Sequence, residues 1–153
     1  MKLVLLIHIL LMANLVGLLV PELIIGRRYR GTKSIPARRA LASLHLQLNQ
    51  WAAVVLFLTV LTGTVQTISG RYPWFAFNGM LWLAIKQVVG LALVIWIIVS
   101  WNGIRSTAKK LRFDTQSEAE LEIGLKAYDR IKGQSHMITG LAWLLAALAI
   151  LKV

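Results

Sequence analysis

Residues 3–25 read LVLLIHILLMANLVGLLVPELII, and residues 26–30 that follow read GRRYR. An apolar run longer than the roughly 20 residues needed to cross a bilayer, closed by a cluster of arginines, is a span followed by a stop-transfer signal. The run opens Met1-Lys2 like a secretory leader, but it has no Ala-x-Ala-like cleavage site. It is therefore read as a membrane helix that stays in place. The same pattern predicts further spans at about 46–68, 80–101 and 137–151. Composition supports this: 58% of the residues are hydrophobic and only 15% charged, against about 25% charged in soluble domains. The mean hydropathy of +0.69 points the same way. The expected architecture is all-α, an integral membrane four-helix up-down bundle forming a single transmembrane domain over residues 1–153.

The formal charge is +11, and its distribution predicts the orientation. Arg27, Arg28, Arg30, Lys33, Arg38 and Arg39 lie between spans one and two. Arg105, Lys109, Lys110, Arg112, Lys126, Arg130 and Lys132 lie between spans three and four, whereas the intervening loop holds only Arg71. Positive residues stay inside, so both termini and the Gly70 to Asn78 loop are expected outside, with Trp74, Phe75, Phe77 and Trp82 as an outer aromatic belt. The expected location is a bacterial cytoplasmic (inner) membrane, crossed several times. Basic clusters flanking apolar spans are topology signals, so the lipid bilayer, not nucleic acid, is the expected partner. Pro36 suits the first turn of a helix leading into span two. Ser117-Glu118-Ala119-Glu120 reads as a capping box that opens a cytoplasmic amphipathic stretch over about 117–132 and lengthens the last helix.

The absence of cysteine excludes disulfides, thiolate metal sites, iron–sulfur clusters and cysteine nucleophiles. Chemistry is then sought among polar groups at membrane depth, which are costly and mark functional positions. They fall into two layers. His8 and Lys86 enter spans one and three by similar distances from the outer side and can share an outer cavity. Glu22, His45, Asn49 and His136 lie near the cytoplasmic side, and Glu22 returns to nearly the helix face of His8. On span two, His45, Asn49, Ala52, Leu56, Thr59, Gly63 and Gln66 follow spacings of four and three, an interior stripe that serves packing as well as chemistry.

Two histidines at one depth on opposing helices suit axial ligation of haem b, which makes His45 and His136 the candidate iron ligands. Asn49 and Glu22 stand beside them, and Arg38, Arg39 or Lys132 can neutralise propionates. The same inner residues can alternatively hold a transition metal such as copper through imidazole and carboxylate. His8 and Lys86 are then left as candidate catalytic groups, placed to bond a substrate carboxylate or a quinone carbonyl. No P-loop, Rossmann glycine pattern, His-Glu-x-x-His or Gly-x-Ser-x-Gly is present, so nucleotide and serine hydrolysis are not expected.

His8-Ile9, Gly17-Leu18-Leu19-Val20-Pro21-Glu22-Leu23 with its following basic loop, and Trp82-Leu83-Ala84-Ile85-Lys86 together resemble a group of small bacterial membrane proteins. That group includes the HemJ type of protoporphyrinogen oxidase and the CopD domain of copper resistance. The HemJ pattern commonly places Arg after the proline of span one, where this chain has Glu22. The resemblance implies a compact four-helix protein that handles haem, a porphyrin or copper, with His8 and Lys86 as functional positions. The expected function is a haem- or porphyrin-binding redox protein, an oxidoreductase acting on a porphyrin or quinone where it is an enzyme. The alternative is an accessory subunit of a larger respiratory or photosynthetic membrane complex, or a homo-oligomer. A copper or small-solute permease ranks third, because a fixed ammonium at Lys86 repels cations.

Overall fold

The structure is a computed structural model and describes residues 2–70, 81–112 and 117–151. Helices account for nearly all of them: α1 (Lys2–Gly31), α2 (Ile35–Ser69), α3 (Leu81–Arg112) and α4 (Glu118–Leu151). Among the described residues there is no strand.

Each helix outruns the apolar segment that announced it. The helices hold 30, 35, 32 and 34 residues, which at 1.5 Å per residue is about 45–53 Å. A hydrocarbon core of about 30 Å covers only part of that. Hydrophobicity marks where a helix leaves lipid, not where it ends, and Arg, Lys, Leu and Ala continue it readily in water. α1 also runs on through Pro21, giving up the one backbone bond that proline cannot donate.

The ends have identifiable causes. Thr32 N–H donates to the Tyr29 carbonyl (3.3 Å) and its hydroxyl to the Arg28 carbonyl (2.8 Å), closing α1. Ser34 then stands in an extended conformation as the N-cap of α2, with proline in the first turn, where a missing N–H removes no helical bond. The expected capping box forms at α4: Ser117 N–H donates to Glu120 Oε2 (3.2 Å) and Glu120 N–H to Ser117 Oγ (3.4 Å). At the far end of α3, Arg39 Nε donates to the Leu111 carbonyl (3.0 Å), a cation where the helix dipole is negative.

Successive helices run antiparallel. His8 meets Thr62 at one end of the α1–α2 pair, and Tyr29 meets Arg38 at the other. α1 packs along α2 and α3 along α4; α2 also meets α3 and α4, and α1 meets α4. Among the described residues α1 and α3 make no packing contact, so these two stand diagonally across the group. The shared interior holds Leu15, Leu19, Leu46, Leu56, Leu93, Leu111 and Tyr128. Small side chains such as Ala42, Ala52 and Ala53 on the buried face of α2 let the backbones approach, which is what association inside lipid requires.

Among the described residues, three helices are long and apolar enough to cross a membrane: α1, α2 and residues 83–111 of α3. Their large exposed side chains, among them Leu3, Trp51 and Val99, suit lipid contact. The fourth expected span, 137–151, forms part of α4, several of whose side chains lie outside the described residues. The expected outer loop over 71–78, with Trp74, Phe75 and Phe77 of the aromatic belt, also lies outside them, as does the side chain of Trp82.

Candidate functional site

The inner polar layer converges on His45. Its ring is wholly enclosed and Glu22 is only 2% exposed, so neither group is solvated by bulk water. His45 Nε2 lies 3.5 Å from Glu22 Oε1, and His45 Nδ1 lies 2.9 Å from the Tyr128 hydroxyl. With Nδ1 accepting from the phenol, the hydrogen sits on Nε2; that nitrogen faces the carboxylate without making a hydrogen bond to it. Asn49, one turn along α2, donates to the His45 carbonyl (3.2 Å) and lies 3.5 Å from Nδ1. Thr139 Oγ1 donates to Glu22 Oε1 (2.5 Å). A carboxylate, an imidazole and a phenol from α1, α2 and α4 are thus gathered in one buried row, hydrogen-bonded between phenol and imidazole and in ion-pair range between imidazole and carboxylate.

His136 sits at the edge of this row. Its ring centroid is 6.0 Å from that of His45, with the planes 57° apart, and the residue is exposed. His136 Cε1 would lie 3.4 Å from a β-carbon at Gly26, so the imidazole rests against α1.

Toward the basic end the row continues through aromatic contact. The Tyr29 and Tyr128 rings pack edge to face, centroids 4.8 Å apart. The Tyr29 hydroxyl donates to Asp129 Oδ1 (3.2 Å) and accepts from Arg38 (2.9 Å). Asp129 also holds Lys132 (2.8 Å) and Arg38 (3.4 Å). Burial, reinforced by Tyr29, Asp129 and Glu22, holds the Tyr128 phenol well above its ordinary pKa. It therefore stays a donor to His45 throughout the physiological range.

The outer layer is built differently. His8 Nδ1 lies 2.8 Å from Thr62 Oγ1, whose own hydrogen is directed at the Leu58 and Thr59 carbonyls (2.9 and 3.0 Å). The imidazole is therefore the donor. A β-carbon on Gly63 would come within 3.3 Å of His8 Cε1, so this glycine gives the ring its seat on α2. Lys86, half-buried on α3, is within electrostatic range of His8.

Sequence reading placed Glu22, His45, Asn49 and His136 at one depth, and the structure brings all four together. It missed Tyr128 and Thr139. The signal existed, because Leu121, Leu125 and Tyr128 recur at spacings of four and three on the amphipathic stretch, and Thr139 follows three turns later on that face.

The fit of the expected cofactors follows from this packing. Two imidazoles on one haem iron need an open slot between them for the macrocycle. Here the His45 ring is enclosed, its Nδ1 is engaged by Tyr128 and its Nε2 faces Glu22. As packed, the His45–His136 pair does not fit haem iron. Among the described residues no group of three or more histidines and carboxylates converges as a metal site.

No protein-family model, curated protein or solved structure matches this chain.

Proposed function

We propose that the chain is a membrane redox protein that acts on a porphyrin- or quinone-type partner, with the Glu22–His45–Tyr128 chain as its proton-handling element. The observation that carries this reading is the enclosed imidazole held between a carboxylate and a phenol. Packing alone would be served as well by apolar side chains of similar volume, which commonly match or exceed a buried ionic pair in stability. Intramembrane carboxylate–histidine chains mark proton paths, and hydrogen transfer to or from a porphyrin or quinone needs such a path. The resemblance to HemJ- and CopD-like proteins supplies the partner class.

Glu22 is the group that takes up and releases the proton, with His45 Nε2 facing its carboxylate, while Tyr128 keeps its own proton and, donating to Nδ1, holds the imidazole in place. The test uses purified protein reconstituted in lipid with a quinol or a porphyrinogen. Turnover should fall in His45→Gln and Tyr128→Phe and survive in Ser106→Ala, an exposed change elsewhere. Equal activity in all of them would overturn the relay. A visible spectrum decides the haem form separately: a Soret band, native or gained on adding haem, would mean that the histidine pair opens to admit the macrocycle.

A second reading rests on α1. Its described residues before Leu15 include no fully buried one, and Leu3, Leu6, Ile9 and Leu10 are all exposed. This half-helix suits a neighbouring subunit of a larger complex as well as lipid. Gentle detergent extraction that yields the chain alone, with no stoichiometric partner, would remove that reading.

A further inference from the structure

Where α1 turns into α2, the surface opens into a groove of about 470 Å³ whose walls come from the end of α1, the start of α2 and α4. It is lined by Tyr29, Arg30, Lys33, Arg38, Asp129 and Lys132. Four cations thus face one acid. Asp129 is already matched by Lys132 and Arg38, whereas among the described residues no carboxylate lies within ion-pair distance of Arg30 or Lys33. Both are exposed, so their ammonium and guanidinium groups are free to turn into the groove.

The position of the groove identifies what would enter it. The apolar run of α1 ends at Ile25, and Arg30 lies five residues further, about 7 Å along the helix axis. The headgroup layer on each side of the hydrocarbon is about 5–8 Å deep, so the groove opens where lipid phosphates lie. We propose that this groove binds a phosphate group, carried by an anionic lipid of the adjoining leaflet. The guanidinium of Arg30 would present paired donors to two phosphate oxygens, and Lys33 and Lys132 would add point charges. Basic pockets of this kind, between helices at the membrane surface, hold anionic headgroups in preference to zwitterionic ones. The site is independent of the redox reading above, since it needs neither His45 nor Glu22.

The experiment compares the whole protein with Arg30→Gln/Lys33→Gln, and with Arg105→Gln/Lys109→Gln, which removes as many exposed charges from the other basic segment. Each is placed in nanodiscs of phosphatidylcholine, of phosphatidylcholine with phosphatidylglycerol, and of phosphatidylcholine with inorganic phosphate in the buffer. Thermal stability and retained lipid, counted by native mass spectrometry, are read in each. The proposal expects phosphatidylglycerol to raise the melting temperature of the parent and control proteins and to remain bound to both. The groove variant should bind it about thirtyfold more weakly. Equal retention by the groove variant and the control would overturn the site. Inorganic phosphate protecting the parent as fully as phosphatidylglycerol would overturn the lipid as its source. Matching helicity and elution volume among the three proteins exclude misfolding as the cause of any loss.

Discussion

The enclosed ring of His45 has two nitrogens shielded from water, and the hydrogen bond from Tyr128, at 2.9 Å, is the shortest of its three polar contacts. Tyr128→Phe removes that donor and leaves only Asn49, at 3.5 Å, beside Nδ1. The expected cost is about 1–3 kcal/mol, the range for a buried acceptor left unpaired, measured by denaturant titration in detergent. The pH dependence follows from the same residue. A phenol held above its ordinary pKa binds its proton more tightly in the folded chain, so its contribution is complete below about pH 10 and is lost as pH rises beyond that. The parent should lose stability above pH 10 more steeply than Tyr128→Phe, and parallel curves would show that the phenol is not held as described. Glu22 gives a graded test. Glu22→Ala leaves the buried Thr139 hydroxyl without its acceptor and should cost about 1–3 kcal/mol, while Glu22→Gln keeps an acceptor for Thr139 and should cost less. Depth counting could find Glu22, His45, Asn49 and His136 because depth depends only on position along each helix. That Glu22 faces His45, and that Tyr128 reaches Nδ1, depends on how helices rotate against one another, which no single stretch of sequence encodes.

Among the elements, α4 shows how local chemistry and tertiary packing divide the work. Its start is fixed by the reciprocal bonds of Ser117 and Glu120, both legible as a four-residue pattern. Its course beyond Lys132 follows from the helix continuing into the apolar run. Ser117→Ala should therefore destabilise α4 at its N-terminus by about 0.5–2 kcal/mol. Hydrogen exchange should locate the loss in the first turns, near Leu121, and spare the Thr139 region; a uniform loss would mean that the cap is coupled to the whole helix. The α1–α2 pair was legible in a different way. Pro36 and the short polar link at Thr32 to Ser34 mark a tight turn, and a tight turn forces antiparallel neighbours. The seat of His8 on Gly63 was not legible in that way, because a glycine in an apolar run serves close packing with any neighbour. The sequence put Gly63 on the interior stripe without identifying what it would touch.

For the whole molecule, charge and geometry make one joint statement. Antiparallel succession places the ends of α1 and α3 and the starts of α2 and α4 at the same end, and these segments carry most of the arginines and lysines. That end also holds the groove and the polar chain around His45. The positive-inside rule assigns it to the cytoplasm, and the chain offers a clean way to test this because it has no cysteine. Ser34→Cys and Lys109→Cys introduce single thiols at exposed positions of the basic end, and Gly70→Cys introduces one at the opposite end. In intact cells a membrane-impermeant maleimide should modify Gly70→Cys alone; after permeabilisation it should modify all three. Labelling of Ser34→Cys before permeabilisation would invert the molecule. The buried relay would then draw its protons from the outside, and the phosphate groove would face the outer leaflet. Split labelling of Ser34→Cys and Lys109→Cys is the more damaging outcome. It would place the two basic segments on opposite sides of the membrane, which the hydrogen bond from Arg39, near the start of α2, to the Leu111 carbonyl, near the end of α3, does not permit.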